Sequence, residues 1–310
     1  MGYADANRVY FDSISNTYDT NPTFAKVNLR VTEAWRAHVP WIGIPLRDVT
    51  AKGESTKADG QQVRLLDYAC GTGLMTNIFS PYIHHATGID VSPKMLSVYT
   101  SRFESSPSHL TITPVLSNLL DASDPSPTTL SGPQFWNYDL AAVGFGFHHF
   151  EDATFAARQL KQRLRPGGVL VINDFLEGGD LLADEEGKMI EGSEGNHAVH
   201  KHGHKHHHGH GHHHDHGHAS HSGHSHDHHA KESPDASSSA TNSKMHASIV
   251  VPNFSEAGIR KIFTDAGFVD VDVVVLKEKY YMEFGGNKLF RTIFFAQGKR
   301  PVAEEEKSEL

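Results

Sequence analysis

The stretch from Val63 to Phe175 constrains this chain more than any other, because its apolar pattern changes period again and again. VRLLDY (63–68) is a short apolar run with a β-branched start, Met75 to Tyr82 reads as a short helix, and HATGID (85–90) is a second strand. PKMLSVYTSRFESS then spaces Met95, Leu96, Val98, Tyr99 and Phe103 as one helix face, with Ser92 at the N-cap and Pro93 at the first helical position. LTITPV (110–115), YDLAAVGFGF (138–147) and VLVINDF (169–175) are three more strands. EDATFAARQLKQRLRPGG, between the last two, opens acidic, closes basic and ends in Gly, which is a complete helix signature. Strand and helix alternating through short loops predict an α/β fold: a doubly wound, mostly parallel sheet with helices on both faces. After residue 250, NFSEAGIRKIFTDAGF predicts a capped helix ending at Gly267, and VDVDVVVLKEKYY and KLFRTIFFAQGK predict a closing antiparallel pair. The expected total is seven strands.

The flanks are different material. Residues 1–46 are polar with spaced aromatics, fitting one or two amphipathic helices broken at Asn21-Pro22. Residues 47–62 are charged and nearly without apolar side chains, and predict a surface loop. Residues 177–248 interrupt the domain spanning 60–298. They hold 18 of the 25 histidines between His197 and His229, then run into KESPDASSSATNSK. Such a segment cannot bury enough apolar surface to offset the entropy of ordering, so a disordered insertion is expected. Residues 299–310 form a charged tail. The single cysteine, Cys70, excludes a disulfide framework and suggests a reducing interior. The start lacks a secretory build, and no apolar run approaches the ~20 residues of a spanning helix. A soluble protein of the cytoplasm or nucleus is expected. A net charge of −9 argues against direct nucleic-acid binding as its main business.

LLDYACGTG (65–73) is the most informative segment for chemistry. A strand ending in Asp67 turns through Gly71 and Gly73 into a helix, where a ligand can approach backbone and unpaired N–H groups. Asp90 ends the next strand, 17 residues past Gly73, and in a doubly wound sheet it stands beside that turn, where a carboxylate can accept both hydroxyls of a ribose. A dinucleotide site would want a third glycine where Thr76 stands, and Asp67 before the turn would repel phosphate. An ammonium-bearing nucleoside suits a carboxylate there, and S-adenosylmethionine combines ammonium, ribose and no phosphate. The competing explanation is a tight strand-to-helix turn with Asp67 as a cap.

In order and spacing, LLDYACGTG, GIDVSPKML, DLAAVGFGFHHF and LRPGGVLVINDF resemble the four signature segments of class I S-adenosylmethionine-dependent methyltransferases. The likeness is to the small-molecule group that includes ubiquinone- and menaquinone-biosynthesis enzymes, in a fungal form. It covers roughly residues 60–175, and the closing helix and strand pair are consistent with it. The resemblance implies that Asp67, Ala69, Gly71 and Gly73 surround the methionine part of the cofactor, Asp90 holds the ribose, and Val91 lies against adenine. Asn118 falls where the family has an Asp facing the adenine amino group; its oxygen could accept that bond with the NH2 turned away. Ala69 stands where the family has its first glycine, so the backbone there must tolerate a Cβ. The helices of 1–46 resemble the family's lid, with Tyr10, Phe11 and Tyr18 either covering the site or simply packing.

Methyl transfer requires an oriented acceptor and, for a hydroxyl or acidic carbon, a base. The segment Gly144 to His149 ends the fourth strand beside the expected methyl. Gly144 and Gly146 would let backbone approach the cofactor, and Phe145 or Phe147 would wall an apolar acceptor. His148 or His149 would act as base or would fix the loop, and Asp174 would point at the site or fix the same loop. In the histidine tract, His200, His202, His204, His206, His207 and His208 begin an irregular set of Zn, Ni or Cu ligands without a closed cage, so weak, non-catalytic metal binding is expected. The tract also reads as a pH-sensitive polycation or as low-complexity expansion.

Three functions follow: a methyltransferase for a small, partly apolar acceptor (O-, C- or S-methylation), a protein methyltransferase in a fungal regulatory complex, or a metal-binding scaffold without catalysis.

Overall fold

The computed structural model describes residues 2–47, 62–105, 107, 109–198, 244–245, 247–284 and 287–302. Two helices open the chain, α1 (Tyr3–Tyr18) and α2 (Pro22–His38). Asn21 separates them as an N-cap whose side chain accepts from the N–H groups of Thr23 and Phe24, a device worth about 1 kcal/mol. The alternating body follows as β1 (Arg64–Tyr68), α3 (Leu74–Phe79), β2 (His85–Asp90), α4 (Pro93–Phe103), β3 (Thr111–Leu116), β4 (Tyr138–Gly144), α5 (Ala153–Arg163) and β5 (Leu164–Phe175). Ser92 and Asp152 cap α4 and α5 through side-chain oxygens. The chain closes with β6 (Leu181–Leu182), α6 (Glu256–Asp265), β7 (Val269–Phe284) and β8 (Asn287–Lys299).

The sheet runs β3-β2-β1-β4-β5-β8-β6, with β7 on the other edge of β8. Strands β1 to β5 pair in parallel, and β8 is antiparallel to β5, β6 and β7. The doubly wound reading therefore holds, with eight strands in place of seven. The extra one, β6, is a two-residue strand that extends the line of β5 along β8. The order places the C-terminal ends of β1, β2 and β4 side by side, which is where such sheets open a crevice.

Two apolar layers cover the faces. One joins Val31 and Trp35 of α2, Phe79 of α3 and Tyr99 of α4; the other joins Leu160 of α5 to Ile259 and Phe263 of α6. Trp35 is wholly buried, stacks on Phe295 at 4.0 Å and donates its Nε1 hydrogen to Asn173 Oδ1 at 3.0 Å. Helix α2 is thereby fixed to the sheet.

Two expectations change. Helix α5 ends without a glycine cap, because the chain passes at Leu164 straight into β5. The insertion does not begin at 177, since residues 177–198 pack on the body. Asp180 pairs with Gly195, and the Asp180 carboxylate meets Arg291 of β8 at 3.0 Å, both side chains almost without exposure. Arg291 also donates to the Pro252 carbonyl and lies over the Phe175 ring at 3.8 Å. A buried, fully bonded ion pair of this kind orders a polar segment that composition alone would leave loose. Residues 199–243 of the insertion, including the histidines from His200 to His229, lie outside the described residues, as do most of the loop 47–62 and the tail from 303. Among the described residues no helix is long and apolar enough to cross a membrane.

Candidate functional site

A cavity with about 1060 Å³ of empty space, its mouth included, opens where β1, β2 and β4 end and α1 crosses them. Its wall includes Ala69, Gly71, Asp90, Val91, Asn118, Gly144 and His149, drawn from four separate stretches of sequence. Asp67, Gly73 and His148 stand behind the wall. Helix α1 contributes Tyr3, Asn7, Phe11 and Tyr18, whereas Tyr10 is buried packing.

The β1 turn is built under strain. Ala69 has φ 53°, in the left-handed region, and Gly71 has φ 51° and Gly73 φ 94°. The Cβ of Ala69 is thus tolerated at a cost of about 1–2 kcal/mol. Phe145, after β4, has φ 52° and lies on the same cavity wall, so two non-glycine residues hold unfavourable backbone at one site. Gly73 is required for another reason than ligand approach. A Cβ there would fall 2.6 Å from the Phe103 ring and 2.8 Å from Tyr99. Likewise a Cβ at Gly144 would meet Met75 at 2.9 Å, and one at Gly146 would crowd Val143 and Ala69, so these glycines serve packing as well.

Asp90 accepts from the Gly71 N–H at Oδ2 and from the Ser92 N–H at Oδ1, each at 2.8 Å. Burial raises its carboxyl pKa against the pull of these donors. Asp67 is a cap as well as a charge. Its Oδ2 accepts from the N–H and hydroxyl of Thr76 at 2.9 and 2.8 Å, while Oδ1 is buried without a partner. Burial pushes its pKa up to about 7, with the nearby Asp90 adding to the rise. Neither acid is ion-paired to Lys or Arg among the described residues. An orphaned carboxylate oxygen behind the wall and a second buried acid on it fit a ligand that brings cationic charge and a diol. The residues present therefore fit S-adenosylmethionine.

Asn118 departs from its expected pose. Its Oδ1 accepts from the Tyr68 hydroxyl at 3.0 Å and from the Leu120 N–H at 2.9 Å, which occupies both lone pairs. Its NH2, not its oxygen, is left for a base edge.

At the other end, the two histidines separate. His148 sends its N–H and Nδ1 to the Asp174 carboxylate at 3.1 and 2.9 Å, and Asp174 is wholly buried. This pair fixes the loop after β4. His149 lines the cavity, with Nδ1 2.7 Å from the Ser248 carbonyl oxygen. A carbonyl only accepts, so Nδ1 carries the hydrogen and Nε2 keeps a bare lone pair. Burial, and then the neighbouring His148, hold the His149 pKa well below 6.5, so the ring is neutral at pH 7. Its ring lies 4.1 Å from that of His148 and edge-on to Phe11 at 5.2 Å. Phe145 walls the cavity as expected, but Phe147 is buried in the opposite layer against Phe254 and Phe263.

Sequence reasoning missed the ties of α1 to this site. Thr72 donates to Asp19 at 2.8 Å, Ser92 to Asp12 at 2.6 Å, and Asn7 to the His149 carbonyl at 3.4 Å. Only the aromatic spacing of α1 signalled its role. Cys70 lines the cavity, but burial and two nearby acids push its thiol pKa well up, which makes it a poor nucleophile. No cluster of three or more metal-ligating side chains occurs among the described residues, and the tract from His200 to His208 lies outside them.

Comparison with known proteins agrees with this geometry. Residues 66–170 match a family model described as a methyltransferase domain. An uncharacterised methyltransferase of Schizosaccharomyces pombe is 32% identical over 136 residues, which are 43% of this chain and 45% of the relative's own length. The chain thus matches less than half of that protein. A solved S-adenosylmethionine-dependent methyltransferase of Leishmania major superposes with a TM-score of 0.52 at 12% identity, over 96% of this chain and 83% of its own, and supports the fold alone. Residues 66–170 thus resemble a methyltransferase domain, and the sheet that carries them has the fold of that solved S-adenosylmethionine-dependent methyltransferase.

Proposed function

We propose that the chain transfers methyl groups from S-adenosylmethionine to a small, partly apolar acceptor at oxygen, carbon or sulfur, with His149 as the general base. The observation that carries this is the division of one cavity into two chemically different ends. Asp90 on the wall and Asp67 behind it, acids without Lys or Arg partners among the described residues, mark one end, and a neutral imidazole shares the rest of the wall with Phe11 and Phe145.

When bound, S-adenosylmethionine supplies an electrophilic methyl group for in-line displacement. Asp90 receives the ribose hydroxyls on lone pairs its two backbone donors leave free. Asp67 acts through its field from behind the turn, and gains its missing counter-charge. Phe11 and Phe145 exclude water and orient an apolar acceptor. Nε2 of His149 takes the acceptor's proton, which a hydroxyl, thiol or acidic carbon must lose as it is methylated. Among the described residues no Lys or Arg lies on the wall, and Asp90 and Glu151 are its charged members. The aromatic lining favours a small acceptor over a protein chain. Intact donors and acceptors around the turn argue against a scaffold without catalysis.

The test is calorimetry with S-adenosylhomocysteine, followed by transfer of labelled methyl to phenols, hydroquinones and thiols with and without a carboxylate. Saturable binding and transfer to the uncharged probes are expected. Absence of cofactor binding would remove the proposal.

A further inference from the structure

The segment that returns from the insertion is bonded to the histidine pair at three points. The Ser248 carbonyl lies 2.7 Å from His149 Nδ1, and the N–H groups of Val250 and Val251 donate to the His148 carbonyl at 3.0 and 3.2 Å. Ser248 has no exposed surface, and its hydroxyl donates to the Met245 carbonyl at 2.7 Å, which fixes the direction of the segment. Beyond it, Phe254 exchanges backbone bonds with Phe175 and Glu177 at the end of β5. The return segment is therefore held to the body on both sides of the histidines.

We infer that Ser248 is a positioning residue for the base: its main-chain oxygen holds His149 in the one tautomer that leaves Nε2 unprotonated and turned to use. The inference rests on the function proposed above. An imidazole carries its neutral-state hydrogen on either nitrogen, and only the form with Nδ1–H can accept a proton at Nε2. Without a fixed acceptor at Nδ1, both forms are populated and the ring turns freely. Residue 248 thus reaches back 99 positions to complete the site, and the root of the insertion belongs to the catalytic machinery. Among the described residues His148, itself held by Asp174, lies against the His149 ring, and Glu151, Asp90, Cys70, Tyr3, Tyr18 and Tyr68 are the other titratable groups on the same cavity wall.

The experiment is nitrogen-15 NMR of the full chain, with His149 assigned by difference from His149→Gln, in the unaltered protein, Ser248→Ala and Ser248→Val. The unaltered protein and Ser248→Ala, which keeps the carbonyl and fits the space, are expected to show Nδ1 protonated and Nε2 bare. Ser248→Val overfills a site with no spare room and should mix the tautomers. It should also cost at least tenfold in kcat with unchanged S-adenosylhomocysteine affinity, and move the acid limb of the pH–rate profile lower, because the lost hydrogen bond had favoured the protonated ring. A purely structural Ser248 would lower Tm without moving that limb. Nε2–H in the unaltered protein overturns the inference at once and requires no variant to fold. A Ser248→Val protein with an unchanged tautomer overturns it too. The proposed function fails separately, through lost cofactor binding or a His149→Gln protein that keeps its turnover.

Discussion

The two ends of the cavity are built on opposite principles. The end proposed for the cofactor is local: Asp67, Ala69, Gly71 and Asp90 lie within 24 positions, and their geometry is set by one turn and two neighbouring strands. The end proposed for the acceptor is assembled from Asn7 and Phe11 of α1, Phe145 and His149 after β4, and Ser248 at the close of the insertion. Local construction ties the first end to a single ligand shape. Remote construction leaves the second free to vary while the sheet stays the same. Function on a common fold changes through such additions.

If the division is real, each end fails alone. The largest effect is expected for His149→Gln, about 10²–10⁴-fold in kcat with S-adenosylhomocysteine affinity retained, measured by labelled-methyl transfer beside calorimetry. A fall in cofactor affinity of the same size would merge the two ends. Asp90→Ala should weaken S-adenosylhomocysteine by about 100-fold, the worth of charge-assisted bonds to two hydroxyls, and anything under threefold would place the ribose elsewhere.

The pH dependence of binding sharpens the cofactor end further. Asp67, with its pKa raised to about 7, keeps a proton in the free fold between pH 4 and 7 that the unfolded chain has lost. Its contribution therefore falls as pH rises through that window, and a cationic ligand should restore it by driving the proton off. Affinity for S-adenosylhomocysteine is expected to rise several-fold from pH 6 to 8, with proton release visible when buffers of different ionisation enthalpy are compared. The smallest effect is Ala69→Gly. Relief of left-handed strain slightly exceeds the added chain entropy, so Tm should rise by about 1–2 °C.

The insertion offers a further division. Removing residues 201–240 should leave Tm and cofactor affinity nearly unchanged, whereas a cut that reaches Asn196 and Ala198 should lower Tm by several degrees. Ala198 N–H donates to the buried Asp180 carboxylate, and Asn196 accepts from Gly178. Thermal melts of the two deletions decide it, and equal losses would show that the bonds of Asn196 and Ala198 carry no stability of their own.

The parts legible in sequence were those whose cause is close along the chain. Ser92 announces a helix start because a cap bonds to N–H groups two or three residues away. The Asp67 turn and Asp90 were legible because parallel strands joined by one helix must lie side by side. Asn118 lines the cavity, but its orientation was not legible, since its oxygen is claimed by Tyr68, 50 positions earlier. Residues 177–198 were read as loose because composition cannot reveal that Arg291, 111 positions on, meets Asp180. His148 and His149 were adjacent equals in sequence and became unlike once Asp174 took one and Ser248 the other.

Sequence alone determined the alternation of strands and helices, the strained turn and the acid at the tip of β2, since each depends on steric and hydrogen-bond rules acting over a few residues. Tertiary structure alone decided which histidine faces the cavity, which nitrogen it offers, and where the polar insertion becomes part of the body. Those outcomes depend on burial and on partners brought together only by the closed sheet, where an unpaired polar group is costly and one distant carbonyl is enough to select a tautomer.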